Sequence, residues 1–332
     1  MTIIYDKPFL SFQEQIEYLK NEHNLIIDDP NLAIRFLSSI SYYDLINGYK
    51  ECFMVNDKFN GNLSINDLYR FYKFDKNFQS IILKYSIIVE NRFKTILAYV
   101  ISDRYGVDVD DYLDLSNFRT SKKKEKRKEK VISSIKRSTI KNKDVSQPTK
   151  YYKKYKNHIP PWILFKNISF NDVIDLYGIL KDEDAIMINN LIFENLIDFK
   201  DNIDECIAFT KHCLILIRKS RNSIAHNLKF ITNSVRNNPI HKKYLYQAFP
   251  GTLIRNNDFK QDININTHYD LIVCLALLLH EDFLIADFLS ELYSTISLTD
   301  EYILNEYFKI TGIPTDLLNR FDKEIIKLIE KY

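Results

Sequence analysis

Apolar residues recur at intervals of three and four over most of the chain, which is the spacing of helices with one buried face. Two such runs are long and contain neither Pro nor Gly: residues 68–105, which are followed by Gly106, and residues 201–226. The first run has a candidate break near Asp75. Because the alternating pattern of strands is sparse, the sequence predicts an all-α fold.

Local signals place the other helices. Ser11 and Glu14 form a capping-box pair, which predicts a helix start. Asp29 followed by Pro30 is typical of an N-cap and a first helical residue. A further helix start is predicted over residues 62–67. Helices are predicted over residues 121–137, 182–197 and 267–295, from Trp162, from about residue 298, and from residue 314 to the end. Residues 41–50 and 228–262 are predicted to be connecting segments.

Charge is distributed unevenly along the 332 residues. Residues 119–156 hold sixteen Lys or Arg against three acids, a local net charge of +13, whereas the whole chain carries only +2. Tyr151, Tyr152 and Tyr155 alternate with lysines at the end of this segment. Such a segment is either a solvated insertion or a contact surface for a polyanion, and the interleaved tyrosines favour RNA.

Several classes of function have no support in the sequence. P-loop, GxGxxG, HExxH and Gly-Xaa-Ser-Xaa-Gly motifs are absent. Cysteines 52, 206, 213 and 274 have no metal-ligand spacing, so we expect four reduced thiols, no metal and no cofactor. The first residues (MTIIYDKPFL) do not resemble a signal peptide, and the most apolar run, residues 271–279, is too short to span a bilayer. We therefore expect a cytoplasmic protein without a membrane partner.

The candidate chemistry lies at the end of the second long run, in the stretch Ile215 to Asn227. Helical spacing places Arg221 in the middle of an apolar stripe, where an unpaired guanidinium would be costly. A second row, with a spacing of four, contains Arg218, Asn222 and His226. Arginine binds phosphate oxygens through paired donors, and histidine exchanges protons near neutral pH. These residue types suit phosphodiester cleavage without a metal.

The Arg-x4-His spacing alone is weak evidence. A second match, Arg236 to His241, contains Pro239 and is predicted to be a loop without fixed geometry. The structural alternative for the first match is an arginine paired with a carboxylate in a helical core, next to a surface histidine. Glu90 lies among apolar residues of the first long run and is the candidate partner of Arg221. Its own alternative is a surface pair with Lys94, one turn away.

Larger stretches of the chain resemble a known family. The sequence is similar to bacterial abortive-infection Abi proteins of the AbiD/AbiF type, and the matching stretches occur in the family's order. They are KPFLSFQEQIEYLKN (residues 7–21), AIRFLSSISYYDLINGY (33–49), LYRFYKFDKNFQSIILKYSIIVENRFKT (68–95), PPWILFKNISFNDVIDLYGIL (160–180) and the RNSIAHN run (221–227).

The resemblance implies a helical bundle of the HEPN type and a metal-independent ribonuclease site, usually formed where two copies meet, and therefore a homodimer. Arg221 and His226 match the defining pair of the family's motif, and Asn222 matches its frequent polar neighbour. Glu90 matches an acidic position, and Lys94 stands where Arg is commoner. An N-terminal helical extension (1–60), a core in two parts (61–118 and 157–297), a basic insertion (119–156) and C-terminal helices (298–332) are expected.

Three functions follow as hypotheses. The first is a ribonuclease toxin of a phage-defence or toxin–antitoxin system, with Arg221, His226 and Asn222 as catalytic residues and Glu90 and Arg218 in support. The second is a non-catalytic RNA-binding or phage-sensing module, and the third is a helical interaction protein in which Arg221 is purely structural. RNA, as substrate or as a small RNA antitoxin, is expected to bind Lys122, Lys123, Lys124, Lys126, Arg127, Lys128, Lys150, Lys153, Lys154 and Lys156.

Overall fold

The computed structural model describes residues 7–119, 125–194, 196–200, 202–232, 235–236, 240–260 and 265–331. Most of these residues are helical, which confirms the predicted all-α fold. Among the described residues, four strands of two residues each form two antiparallel ribbons. In these, β1 (Met54–Val55) pairs with β2 (Lys58–Phe59), and β3 (Val235–Arg236) pairs with β4 (Ile265–Asn266).

The longest described helix, α4 (Ile65–Tyr105), has 41 residues and organises the fold. Its start is a capping box in which the Ser64 side chain accepts from Asp67 N, and Gly106 ends it at a φ of 77°. At about 1.5 Å per residue it is roughly 60 Å long. Five helices pack against it: α8 (Pro161–Leu164), α10 (Asp182–Phe193), α11 (Ile203–Ala225), α13 (His268–Leu279) and α14 (Asp282–Ser297). The helix is therefore the common surface on which the candidate site is built.

Asp75 does not interrupt α4, so the candidate break there is wrong. Its carboxylate is buried and accepts hydrogen bonds from Tyr49 Oη (2.9 Å), Tyr307 Oη (2.9 Å) and Gln79 Nε2 (2.7 Å). Burial raises the pKa of Asp75, although these donors act in the opposite direction. Because its polar atoms are satisfied in place, the carboxylate is accommodated within a continuous helix and joins the two ends of the chain to α4.

The N-terminal residues form a layer over the first half of α4. The predicted capping box of Ser11 and Glu14 and the Asp29 N-cap are both formed. Residues 41–50, predicted to be a connector, instead contain a short π-helical turn at Tyr43–Asn47. The helices of this region are α1 (Phe12–Asn21), α2 (Pro30–Ser39) and α3 (Lys50–Phe53).

Further α-helices follow α4 along the described part of the chain. They are α5 (Val109–Tyr112), α6 (Glu125–Ser138), α7 (Thr149–Tyr155), α8 (Pro161–Leu164), α9 (Phe170–Tyr177), α10 (Asp182–Phe193), α11 (Ile203–Ala225), α12 (Lys242–Ala248), α13 (His268–Leu279), α14 (Asp282–Ser297), α15 (Glu301–Thr311) and α16 (Leu317–Ile329). None of the helices in the described part of the chain is both long enough and apolar enough to cross a bilayer.

Two predicted segments differ from the structure. The single helix expected over residues 267–295 is two helices, because His280 adopts a φ of 66° between α13 and α14. Every residue of α13 is buried, whereas α14 has an exposed face, so the two need different orientations relative to the core. The loop predicted over residues 228–262 contains α12 and a 3₁₀ turn at Asn256–Lys260.

The segment after α11 is held by a buried histidine. His268, the first residue of α13, hydrogen-bonds through Nε2 to the carbonyl oxygen of Phe230 at 3.1 Å, so the neutral ring donates from Nε2. The Phe230 and His268 rings also meet edge to face, with centroids 4.5 Å apart. Burial lowers the pKa of His268 to about 4.

This burial predicts a loss of stability in mild acid. Below the unfolded-state pKa of 6.5 the unfolded chain takes up a proton on His268 and the folded chain does not, so stability falls from pH 6.5 down to about pH 4. At pH 5 the loss from this residue is about 2 kcal/mol. The measurement is urea unfolding of wild type and His268→Gln at pH 7.5 and pH 5. The variant is expected to lose about 2 kcal/mol less than wild type on acidification; equal losses would contradict this assignment.

Candidate functional site

The candidate site lies at the C-terminal end of α11. The helix begins at Asn202, whose side chain accepts from Glu205 N at 3.1 Å. Its buried residues, which include Cys213, Leu214 and Ile217, face α4 and α13. The helix ends at Ala225 with His226 as its C-cap, one residue from the predicted end.

The backbone fixes the position of His226. Asn227 adopts a φ of 51°, a left-handed conformation that Asn tolerates better than most residues. Leu228 N donates to Ser223 O (2.8 Å) and Asn227 N donates to Ile224 O (3.0 Å), which is the hydrogen-bond pattern of a Schellman motif. His226 is therefore held at a defined helix end and does not lie in a loop of variable shape.

The side chain of Asn227 attaches this helix end to the rest of the fold. Its Oδ1 accepts a hydrogen bond from Lys76 Nζ on α4 at 2.7 Å, and its Nδ2 donates to Asp44 Oδ1 at 3.2 Å. Asn227 is not among the site residues predicted from the sequence. An Asn directly after a long helical run is a C-terminal capping signal, and it would have identified this residue.

Arg221 is paired with Glu90, as the sequence predicted, but the pair is loose. The Arg221 Nη2 and Glu90 Oε2 atoms are 3.8 Å apart, and the arginine side chain is 34% exposed. Glu90 makes a closer pair with Lys94, at 2.8 Å between Oε1 and Nζ, with both side chains only 12% exposed. Lys94 Nζ also donates to Ile168 O at 2.9 Å. Both alternatives for Glu90 therefore occur together, and its pair with Lys94 is largely buried.

Two donors of the site have no acceptor. The Nε atoms of Arg218 and Arg221 are buried and, among the described residues, make no hydrogen bond. Arg221 donates from Nη1 to the Asn222 side-chain oxygen at 3.0 Å, which occupies the acceptor of that amide. Buried donors without partners are rare and costly. Among the described residues, both arginines therefore retain one unsatisfied buried donor.

His226 differs from the arginines in its exposure. Its imidazole is exposed to solvent and has no hydrogen bond or ion pair within the part of the chain that the structure describes. It follows Asn222 by one turn and Arg218 by two, on the row predicted from the sequence. The ring is therefore accessible to a ligand that binds at this helix end.

The pocket next to this helix end is small. It lies between α4 and the segment after α11, is lined by Asp75, Gln79, Asn227 and Phe230 among others, and has a volume of about 30 Å³. That volume holds about one water molecule, so a nucleotide would have to bind on the open surface at the end of α11. Among the described residues, no group of three or more His, Cys, Asp or Glu is arranged as a metal site.

The second Arg-x4-His match does not lie on one element. Arg236 belongs to β3, which pairs with β4, and His241 is the N-cap residue of α12. Residues 237–239 lie outside the described part of the chain. The two residues thus lack the common helix that carries Arg221 and His226.

The described residues of the basic segment are folded onto the core. On α6, Val131, Ile132 and Ile135 are buried, and this helix packs against α9. Ser134 Oγ donates to Asp172 Oδ1 at 3.1 Å, which links the two helices. The described residues of this segment are therefore structured and leave several lysines exposed.

The lysines and the arginine predicted to bind RNA differ in their exposure and in their contacts. Lys128 is only 3% exposed, so its inclusion was wrong: the ammonium lies within the fold and not on the basic surface. Arg127 is paired with Asp175 at 3.3 Å, and Lys153 donates to the carbonyl oxygens of Ile140 and Asn142, both at 2.8 Å. Lys122, Lys123 and Lys124 lie outside the described residues, and the exposed members without such an ion pair or carbonyl contact are Lys126, Lys150, Lys154 and Lys156.

Comparison with known families identifies the family of the chain. The model of the family described as Abi-like protein matches residues 35–232, which is more than half of the chain. The chain therefore belongs to the Abi-like protein family, a family associated with abortive infection, which is a form of phage defence. The match runs from α2 through α4 and the basic segment and ends just after the Arg221–His226 stretch. No curated protein and no solved structure matched the chain.

Proposed function

We propose that the protein is a metal-independent endoribonuclease of a phage-defence system, with a HEPN-type site at the end of α11. The observation that carries the proposal is the pair of buried, unpartnered Nε donors of Arg218 and Arg221 beside the exposed imidazole of His226. A phosphate group supplies acceptors of the geometry that guanidinium groups bind best. Membership of the Abi-like family supports the biological setting, a toxin acting in the cytoplasm.

Each side chain has a distinct role in the proposed reaction. Arg221, with Arg218, binds the scissile phosphate and stabilises the charge that develops on its oxygens. His226 removes the proton from the ribose 2′-hydroxyl or returns one to the leaving 5′-oxygen. Asn222 and Glu90 orient the Arg221 guanidinium from two sides. The products are a 2′,3′-cyclic phosphate and a 5′-hydroxyl end.

One chain provides one imidazole at this site, whereas the reaction needs both a base and an acid. A second copy of the chain, docked on the same helix end, would supply the second histidine and could also supply acceptors for the unpartnered donors. This supports a homodimer with a composite site. In such a dimer the two α11 ends face one another across a two-fold axis.

The experiment that tests the proposal uses the wild-type protein and total RNA in excess EDTA. Cleavage is expected to continue, and the new 5′ ends are expected to be hydroxyls that a polynucleotide kinase can label. A DNA of the same sequence is the control, because it lacks the 2′-hydroxyl and is expected to remain intact. Loss of activity in EDTA with rescue by a divalent ion, or cleavage of the DNA, would rule out this mechanism.

A second candidate function is a non-catalytic RNA-binding module. The exposed lysines of α6 and α7 favour it, because they provide a basic surface that does not involve His226. In this case a small RNA antitoxin or a phage RNA would bind without being cut. Binding of RNA that is not followed by cleavage, with wild type and His226→Ala behaving alike, would select this function.

A further inference from the structure

Helix α7 presents two aromatic rings to solvent. Tyr151 and Tyr155 are 45% and 59% exposed, and they lie one turn apart on the same face. Their ring centroids are 5.0 Å apart, with an angle of 43° between the planes. Tyr152, which lies between them in sequence, is only partly exposed and packs against the core. The two outward rings, here called the α7 tyrosine pair, therefore do not contribute to the buried core.

The surroundings of the pair are positively charged. Lys154 Nζ lies 4.9 Å from the centroid of the Tyr155 ring, and Lys156 Nζ lies 5.9 Å from that of Tyr151. Lys150 is exposed on the same short helix. No Asp or Glu occurs between Asp144 and Asp172 in the sequence, so the stretch that contains α7 has no acid of its own. Aromatic faces beside uncompensated lysines are typical of surfaces that bind nucleic acid strands.

The pair is also rigidly mounted. Lys153 donates to the carbonyl oxygens of Ile140 and Asn142 beyond the end of α6. At the start of α7, Thr149 Oγ1 donates to Ile163 O at 3.1 Å and accepts from Asn167 Nδ2 at 2.9 Å. Both ends of the helix are thus fixed before any ligand binds, which lowers the entropic cost of binding.

A series of contacts connects the start of α7 to the candidate catalytic site. Asn167 is followed by Ile168, whose carbonyl oxygen accepts from Lys94 at 2.9 Å. Lys94 pairs with Glu90, and Glu90 lies 3.8 Å from the Arg221 guanidinium. The α7 tyrosine pair and Arg221 are therefore parts of one continuous framework, in which a bound strand has a fixed relation to the catalytic helix.

We propose that the α7 tyrosine pair binds single-stranded RNA, with bases stacked on Tyr151 and Tyr155 and phosphates near Lys150, Lys154 and Lys156. The faces of bases are accessible in a single strand and covered in a duplex, so stacking on exposed rings selects unpaired RNA. This inference rests on the proposed function for the choice of RNA over DNA. It adds the substrate class, a single strand, and the surface that recognises it.

The test measures binding in the His226→Ala background, so that cleavage does not consume the probe. The probe is a labelled RNA of about 12 nucleotides without secondary structure, compared with a duplex of the same length. Replacing both Tyr151 and Tyr155 with Ala is expected to weaken binding of the single strand at least about 30-fold, because each stacked base contributes about 1–3 kcal/mol. Replacing both with Phe keeps the rings and is expected to leave affinity within about twofold.

Two controls make the result specific. Tyr302→Ala removes an equally exposed tyrosine on α15 and is expected to leave affinity unchanged. Charge reversal of Lys150, Lys154 and Lys156 is expected to weaken binding and to flatten its salt dependence by about 0.7 per lost phosphate contact. The Lys153→Glu variant is tested separately from these three. Lys153 donates to carbonyl oxygens just after α6, so its loss is expected to lower the melting temperature.

Several outcomes would overturn the inference. These are unchanged affinity in the double Ala variant, equal loss for single strand and duplex, or a preference for anionic lipid vesicles over RNA that depends on the same tyrosines. The cleavage assay on the wild-type protein is independent of these measurements. If the wild type binds as described but cuts no RNA, the proposed nuclease function fails while the tyrosine pair remains an RNA-binding surface.

Discussion

Replacing His226 with alanine is expected to lower the rate of RNA cleavage by about 10²–10⁴-fold, the usual contribution of a positioned general acid or base. The imidazole is exposed and makes no hydrogen bond or ion pair with the described residues. The Schellman hydrogen bonds at this helix end use backbone atoms alone, so alanine leaves them intact. The variant is expected to fold but not to cleave RNA, and its expression is expected not to arrest growth.

The measurement compares initial cleavage rates of wild type and His226→Ala, with circular dichroism melting and gel filtration to check fold and oligomeric state. His241→Ala is the matched control, because His241 is the histidine of the second Arg-x4-His match and is expected to be dispensable. Equal cleavage by wild type and His226→Ala would exclude His226 as a catalyst.

The second large effect is expected at Arg221. Its replacement by Ala should lower cleavage by about 10²–10³-fold, as for other donors that stabilise developing negative charge. The melting temperature should change little, because the side chain is one-third exposed and its ion pair with Glu90 is 3.8 Å long. Glu90 also keeps Lys94 as a closer partner when the guanidinium is removed.

A structural arginine provides the comparison for this experiment. Arg92 on α4 donates to the carbonyl oxygens of Leu278 and Leu191, both at 3.1 Å, and so joins α4 to two neighbouring helices. The expected pattern is a catalytic loss without unfolding in Arg221→Ala and a lower melting temperature in Arg92→Ala. If Arg221→Ala unfolds as Arg92→Ala does, the structural alternative for Arg221 is correct.

Much of the fold followed from local signals. Helix α4 and helix α11 were predicted within a few residues, because both runs have a long apolar periodicity and Gly106 marks the end of α4. The break at His280 was missed for the opposite reason. Its flanking residues continue the apolar pattern, and only the burial of α13 on all sides requires the chain to turn there.

The candidate site was predictable in part. Spacing placed Arg218, Asn222 and His226 on one row, and the apolar neighbours of Glu90 indicated it as the partner of Arg221. Sequence spacing does not show how deeply a side chain is buried. Lys128 was assigned to a basic surface because its neighbours are lysines, but the buried residues Val131 and Ile132 turn that side of α6 towards the core. The anchoring of Asn227 to Lys76 depends on a contact between residues 151 positions apart.

The Asp75 hydrogen bonds have a consequence for the boundaries of the folding unit. Tyr307, which donates to this carboxylate, also contacts the rings of Phe74 and Phe78, and it lies far beyond residue 232, where the family match ends. Shared ancestry over residues 35–232 therefore does not delimit an autonomous domain. The helices after residue 232 stabilise the shared part. Replacing them with the corresponding helices of a homologue would separate the buried Asp75 carboxylate from its donor Tyr307.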